Sequence, residues 1–121
     1  MGSNRPRAHD SGRLSERDWK HLRIVHGAAL ERYCSRVLEG CREIVEDASL
    51  TAHERYLRLF RLLHERDDDL GRAFDDLRRS RAIQMLAAMI RLEVVAEEEL
   101  EQFSPGVRES AVGVARLFAE E

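Results

Sequence analysis

Apolar residues recur every three or four positions along most of this chain, which is the period of an amphipathic helix. The first stripe begins after Ser15, a residue suited to capping a helix, with Asp18 three positions later. Its members are Trp19, Leu22, His26, Ala29, Leu30, Tyr33, Val37, Cys41, Ile44 and Ala48. The pattern continues across Gly27 and Gly40, so it predicts one helix over about 16–47.

A second stripe follows after a very short connection. Thr51 and Glu54 have the spacing of a capping box, which marks a helix start. The stripe then contains Tyr56, Leu59, Phe60, Leu63, Leu70, Phe74, Leu77, Met85, Ala88, Met89 and Leu92. We predict a single helix over about 52–94. A break near Asp67–Asp69 is the alternative, because Gly71 follows closely.

The end of this second stripe gains another apolar face, made of Ile83, Leu86, Ala87 and Ile90. A helix that is apolar on two sides has to be covered on two sides. The remaining sequence predicts two shorter helices, an acidic one in "AEEELEQF" and one that opens with Ser104 and Pro105. The predicted fold is all-α, a long antiparallel helical hairpin with two shorter C-terminal helices packed at its open end.

The short connection near residue 50 fixes how the two long helices pair, because it forces them to run antiparallel as neighbours. Val37 is then expected to lie beside Leu63, and His26 near Phe74.

The same register pairs the polar residues that interrupt the second stripe. It places Asp67 opposite Tyr33, where a phenol–carboxylate hydrogen bond can form, and Arg81 opposite Trp19, where a guanidinium can stack on an indole. We therefore predict two buried polar pairs, Tyr33–Asp67 and Trp19–Arg81.

Length and charge limit the classes of protein. The 121 residues suit one domain, and the pattern predicts a flexible basic arm over 1–14 followed by a single all-α domain over 15–121. A formal net charge of −3 argues against a surface built mainly to bind nucleic acid. The sequence has neither a signal peptide nor an apolar run of membrane-spanning length, so we expect a cytoplasmic protein that does not bind membranes.

The candidate chemical groups do not converge on one site. The triplet His-Glu-Arg occurs twice, but His53 and His64 lie roughly 16 Å apart along one helix and cannot hold the same metal ion. Cys34 and Cys41, seven apart on one helix, are roughly 10 Å apart, too far for a mutual disulfide. We predict no catalytic residue, no cofactor and no metal ligand, and hence a protein that is not an enzyme.

Apolar residues beyond the edges of the two stripes point instead to association. We expect an interaction surface made of Cys34, Leu38, Val45, Leu57 and Leu62. Left in water, several such side chains would form a larger apolar patch than monomers usually carry. This predicts a homodimer built as a helical bundle or coiled coil, with two-fold symmetry.

Five strings of the sequence, "LSERDWKHLR", "ALERYCSRVL", "HERYLRLFRLL", "AFDDLRRS" and "EEELEQFSP", resemble small bacterial all-helical proteins with no established activity. The resemblance implies a free-standing bacterial domain and carries over no functional residues. The leading functional hypothesis is a non-enzymatic, self-associating helical interaction or assembly module. The alternative is a small regulator that contacts nucleic acid or the transcription machinery, based on the basic arm and the acidic hairpin tip "EIVED".

Overall fold

The part of the chain that the structure describes folds entirely into helices and their connections. The computed structural model describes residues 14–119, with side chains as far as Leu117. Helices occupy Glu16–Val45 (α1), Ala52–Phe74 (α2), Ala82–Arg91 (α3), Glu97–Glu101 (α4) and Pro105–Ala119 (α5), and a 3-10 turn at Arg79–Arg81 leads into α3. The predicted all-α class is confirmed, since residues 14–119 contain no strand.

The connection 46–51 turns the chain back, so α1 and α2 form the predicted antiparallel hairpin. Thr51 starts α2 with a capping box: its hydroxyl accepts the Glu54 N–H at 3.1 Å, and the Glu54 carboxylate accepts the Thr51 N–H at 2.8 Å. Nε2 of His26 lies 2.9 Å from the carbonyl oxygen of Phe74, which confirms the predicted neighbourhood of these two residues. At the hairpin tip, Arg55 donates to the Val45 carbonyl at 2.8 Å.

The second long helix ends earlier than predicted. Helix α2 is continuous through Asp67–Gly71 but stops at Phe74, so neither the predicted helix 52–94 nor the alternative break is correct. Asp75 leaves the helix in an extended conformation, and Asp76 adopts a left-handed φ of 61°. Aspartate tolerates that region better than most residues. The apolar stripe nevertheless continues into α3, because α3 also packs against the hairpin.

Both predicted buried polar pairs are wrong. Asp67 is exposed, and the Tyr33 hydroxyl donates instead to the Arg66 carbonyl at 3.2 Å and to Asp69 at 3.4 Å. Burial and the nearby Asp69 charge raise the pKa of the Tyr33 phenol. The other pair fails because the break after α2 redirects Arg81.

Arg81 is exposed and forms an ion pair with Asp76 at 3.6 Å, close to the turn that ends α2. Trp19 is half-buried against the hydrophobic core.

Leu14 was predicted to belong to the flexible arm, but it is part of the hydrophobic core. Leu14 is only 3% exposed, and its carbonyl accepts a hydrogen bond from Arg79 Nε at 2.9 Å. Leu14 immediately precedes the helix cap Ser15, a position from which apolar side chains commonly pack against the first helical turns. The rest of the predicted arm, residues 1–13, lies outside the described residues.

The hydrophobic core lies at the open end of the hairpin, which we call the base. Helix α3 packs most extensively against α5, as the second apolar face of α3 predicted. The buried apolar residues are Leu14, Leu22, Val25, Ala29, Tyr33, Ala73, Phe74, Ala82, Ile83, Met85, Leu86, Ala87, Met89, Val94, Phe103, Ala111 and Ala115. None of them lies between Tyr33 and Ala73, so residues 34–72 project from the base as a two-helix arm.

Two carboxylates connect α1 to the C-terminal helices. Asp18, 2% exposed, accepts the Ser104 N–H at 3.0 Å and the Ser104 hydroxyl at 2.6 Å, which links the first turn of α1 to the start of α5. Glu99 receives two hydrogen bonds of 2.8 Å from the Arg32 guanidinium. This contact with Arg32 holds the pKa of the Glu99 carboxyl below its ordinary value.

The Arg32–Glu99 pair predicts a pH-dependent stability. A carboxyl whose pKa is lowered by folding stabilises the protein above its unfolded pKa and loses that contribution as pH falls through the folded value. Glu99→Gln should therefore lower the free energy of unfolding by about 1–2 kcal/mol at neutral pH, and the deficit should shrink as the pH falls below the ordinary carboxyl value of about 4.3. Chemical denaturation across pH measures this. Glu98→Gln on the same helix is the matched control, and a Glu99→Gln deficit as large at pH 3 as at pH 7 would contradict the assignment.

Candidate interaction surface

Half-buried residues form the seam between the two helices of the arm. On α2 the seam contains Leu59, Leu62, Arg66 and Asp69, which follow each other at helical spacing. On α1 it includes Val37 and Gly40. A Cβ atom placed on Gly40 would lie 3.4 Å from Cδ2 of Leu62, so the two helices approach closely there.

This seam differs from the predicted one. Tyr56, Phe60 and Leu63 were expected to face α1, but they are 63%, 63% and 45% exposed. Leu62, predicted to lie beyond the edge of the stripe, is half-buried in the seam beside Gly40. Helix α2 is therefore rotated about its own axis by about 100°, the angle between successive residues, from the expected orientation. The reason is that polar Asp69 occupies a seam position and bonds to Tyr33, which an apolar pattern cannot show.

The rotation of α2 places two apolar stripes on one side of the arm. Cys34 and Leu38 of α1 line a groove of about 280 Å³ together with Leu63 and Leu70 of α2. Val37 also lines this groove, so it lies near Leu63, as predicted. Helical spacing extends this side to Val45 on α1 and to Tyr56 and Phe60 on α2. We call this surface the arm face and define it as Cys34, Leu38, Val45, Tyr56, Phe60, Leu63 and Leu70.

The five residues predicted to form an interaction surface therefore separate into two groups. Leu38 and Val45 are exposed on the arm face, at 65% and 51%, and Cys34 is half-buried beside them. Leu57 is 41% exposed but lies about 100° around α2 from Tyr56, and Leu62 belongs to the seam. Sequence reasoning missed Tyr56, Phe60 and Leu63, because their spacing also fits a buried stripe.

The arm face is large for an exposed surface. Six of the eight large apolar side chains that are strongly exposed in residues 14–117 lie on the arm, five of them on this face. Their exposed fractions correspond to roughly 500 Å², which is at the upper end of the apolar patches that monomers carry and often use for binding. The charged residues that line its groove are Arg66 and Asp67.

The opposite side of the arm carries more charged side chains and is already connected to the base. Arg36 donates to the carbonyls of Leu92 and Glu93 at 2.6 and 2.9 Å, which holds the arm to the chain that follows α3. The groove there, about 460 Å³, is lined by three arginines with Asp69 and Glu93, and also by seam residues such as Val37 and Leu62. The two sides of the arm therefore differ in chemistry, and most of the exposed large apolar side chains of the arm lie on the arm face.

Two histidines make contacts within the chain. Nε2 of His21 lies 2.7 Å from the Glu99 carbonyl, and the ring of His64 stacks on Phe60 at 6.2 Å. Cys34 and Cys41 are half-buried free thiols. Within the described residues no three His, Cys, Asp or Glu side chains come close enough together to hold a metal ion. No helix in that part of the chain has the length and apolar character needed to cross a membrane.

Comparison of the chain with protein-family models, with curated proteins and with solved structures finds no match. The resemblance to small bacterial proteins stays an expectation from the sequence.

The observed seam predicts different costs for two adjacent leucines. Leu62→Ala should lower the free energy of unfolding by about 1–2 kcal/mol at every protein concentration, because Leu62 packs within one chain. Leu63→Ala should cost less than about 0.5 kcal/mol in dilute solution, where only the single chain is present. Denaturant titrations at two concentrations measure both values, and the reverse order would show that α2 has the orientation first predicted.

Proposed function

We propose that this protein is a non-enzymatic helical interaction module that binds a protein chain through the arm face. The supporting observation is the set of apolar side chains that the fold leaves in water on one side of the arm. Burying one such side chain completely is worth about 1.5–3 kcal/mol, so several together supply enough free energy for a specific contact. Tyr56 and Phe60 are residues of the kind that carry binding energy at interfaces.

The way the arm is held supports the same proposal. Arg36 and the Arg32–Glu99 pair connect α1 to the chain that follows α3. Arg32 also donates to the Val94 carbonyl at 2.8 Å. A surface fixed in this way loses little conformational entropy when a partner binds, which favours affinity.

The alternative, a regulator that contacts nucleic acid or the transcription machinery, has less support. The predicted basic N-terminal segment, apart from Leu14, falls on residues 1–13 and lies outside the described residues. The hairpin tip carries the acidic side chains of Glu43, Glu46 and Asp47. Binding to nucleic acid that weakens steeply with added salt would favour this alternative over the module.

The test is a pull-down with the tagged protein, in which the double variant Leu38→Glu, Phe60→Glu is compared with the unmodified chain. The double variant should recover no bound protein chain, including untagged copies of itself, because each new charge on the arm face would have to be buried without a partner. Helix content measured by circular dichroism should not change, since Leu38 and Phe60 are 65% and 63% exposed.

Leu117→Glu is the matched control, because Leu117 on α5 is also 65% exposed but lies at the base. This variant should bind as the unmodified protein does. Equal binding by the double variant and the unmodified protein would refute the proposal, and so would equal losses in the double variant and the control.

A further inference from the structure

Helix α1 carries two stripes with the heptad spacing of a coiled coil. One stripe faces α2 and contains His26, Leu30, Tyr33, Val37, Gly40 and Ile44. The other, which we call the outer stripe, contains Ile24, Gly27, Glu31, Cys34, Leu38, Cys41 and Val45, again with alternating steps of three and four. The fold fills the first stripe with α2 and leaves the outer stripe uncovered, with Ile24 at 71% and Leu38 at 65% exposed.

The residue sizes along the outer stripe alternate. Its larger residues stand at one heptad position, and Gly27, Cys34 and Cys41 stand at the other. Packing within the chain does not require Gly27, because a Cβ placed there would meet no atom within 4 Å. Glycine inside a helix costs stability relative to alanine. Close packing of another helix against the outer stripe would explain why glycine stands at position 27.

A second copy of the outer stripe fits the first when the two run antiparallel, because large positions of one helix then face small positions of the other. With the two-fold axis level with Arg36, Val45 lies over Gly27 of the second copy and Leu38 lies beside Cys34 of that copy. The same alignment places Glu31 next to Arg42 of the second copy, twice by symmetry. The Glu31 side chain is exposed and forms no ion pair or hydrogen bond with another described residue, whereas Arg42 lies 3.4 Å from Glu39 and 4.0 Å from Glu46 in its own chain. The stripe is therefore complementary to itself in both size and charge.

Helix α2 extends the same contact. The hairpin register puts this two-fold axis level with about Glu65, so Phe60 lies opposite Leu70 of the second copy. The arm face then pairs with itself along both helices. Stable interfaces bury about 800 Å² on each partner, and the exposed apolar area of the arm face, roughly 500 Å², together with Ile24 and the charged rim approaches that value.

We propose that the arm face binds a second copy of this chain in a two-fold symmetric four-helix arrangement, with the α1 helices antiparallel along their outer stripes. This inference rests on the proposed function, because it names the partner of the same surface. Closed two-fold dimers are also the commonest form of homo-oligomer.

The first test adds bulk at Gly27. In the full chain, Gly27→Leu should weaken the dimer by at least about tenfold without lowering the thermal midpoint of the dilute protein, because space is open there within one chain. Gly113→Leu on α5 is the matched control, since a Cβ there also meets nothing within 4 Å, and it should leave association unchanged. Sedimentation equilibrium from about 1 to about 200 µM measures both dissociation constants.

The second test exchanges the charges that the alignment brings together. Glu31→Arg alone, or Arg42→Glu alone, should weaken the dimer by about tenfold, because each places like charges together twice. The double exchange should restore the unmodified dissociation constant to within about threefold. In a parallel dimer Glu31 would face its own copy, and the double exchange would rescue neither change.

The outcomes separate this inference from the proposed function. A protein that is monomeric at about 100 µM would overturn the dimer. The proposed function would still stand if the unmodified protein bound a different chain and the arm-face double variant did not. A dimer that tolerates Gly27→Leu and both charge reversals would overturn the antiparallel α1 packing. A protein that neither self-associates nor loses any bound chain in the double variant would overturn both.

Discussion

The length of α1 relative to the core is the constraint on which the rest of the structure depends. Its thirty residues extend over about 45 Å, but its buried residues end at Tyr33. The small C-terminal helices can surround only the first half. The second half has α2 as its single neighbour, and two antiparallel helices bury only one narrow stripe of each. Apolar residues beyond that stripe stay in water, and this is how the arm face arises.

Short sequence patterns correctly predicted the helix start and the helix pairing that depend on neighbouring residues. The capping box at Thr51 fixed the start of α2, and the short connection before it fixed the register that brings His26 to Phe74. The second apolar face of α3 correctly predicted its cover by α5. The break after Phe74 was not predicted, because it depends on the left-handed conformation of Asp76, which no apolar period reveals.

The candidate surface was predicted only in part for a similar reason. Apolar spacing shows which residues share one side of a helix, but it does not show which of two adjacent sides faces the partner helix. Polar contacts decide that here, since the hydroxyl of Tyr33 bonds to Asp69 in the seam. Such contacts join residues far apart in the chain. The contacts Arg32–Glu99 and Asp18–Ser104 likewise have no local signature that sequence reasoning could use.

The polar contacts also explain why the two sides of the arm differ. Arg32 and Arg36 lie one helical turn apart, and both donate to carbonyls in the chain that follows α3. The carbonyls that they bond belong to Leu92, Glu93 and Val94, just after the last residue of α3, and these contacts hold the arm at a fixed angle to the base. These contacts lie on the side of the arm that carries the groove lined by arginines. Leu38 and Phe60 are exposed on the other side, so the contacts that position the arm leave its more apolar side uncovered.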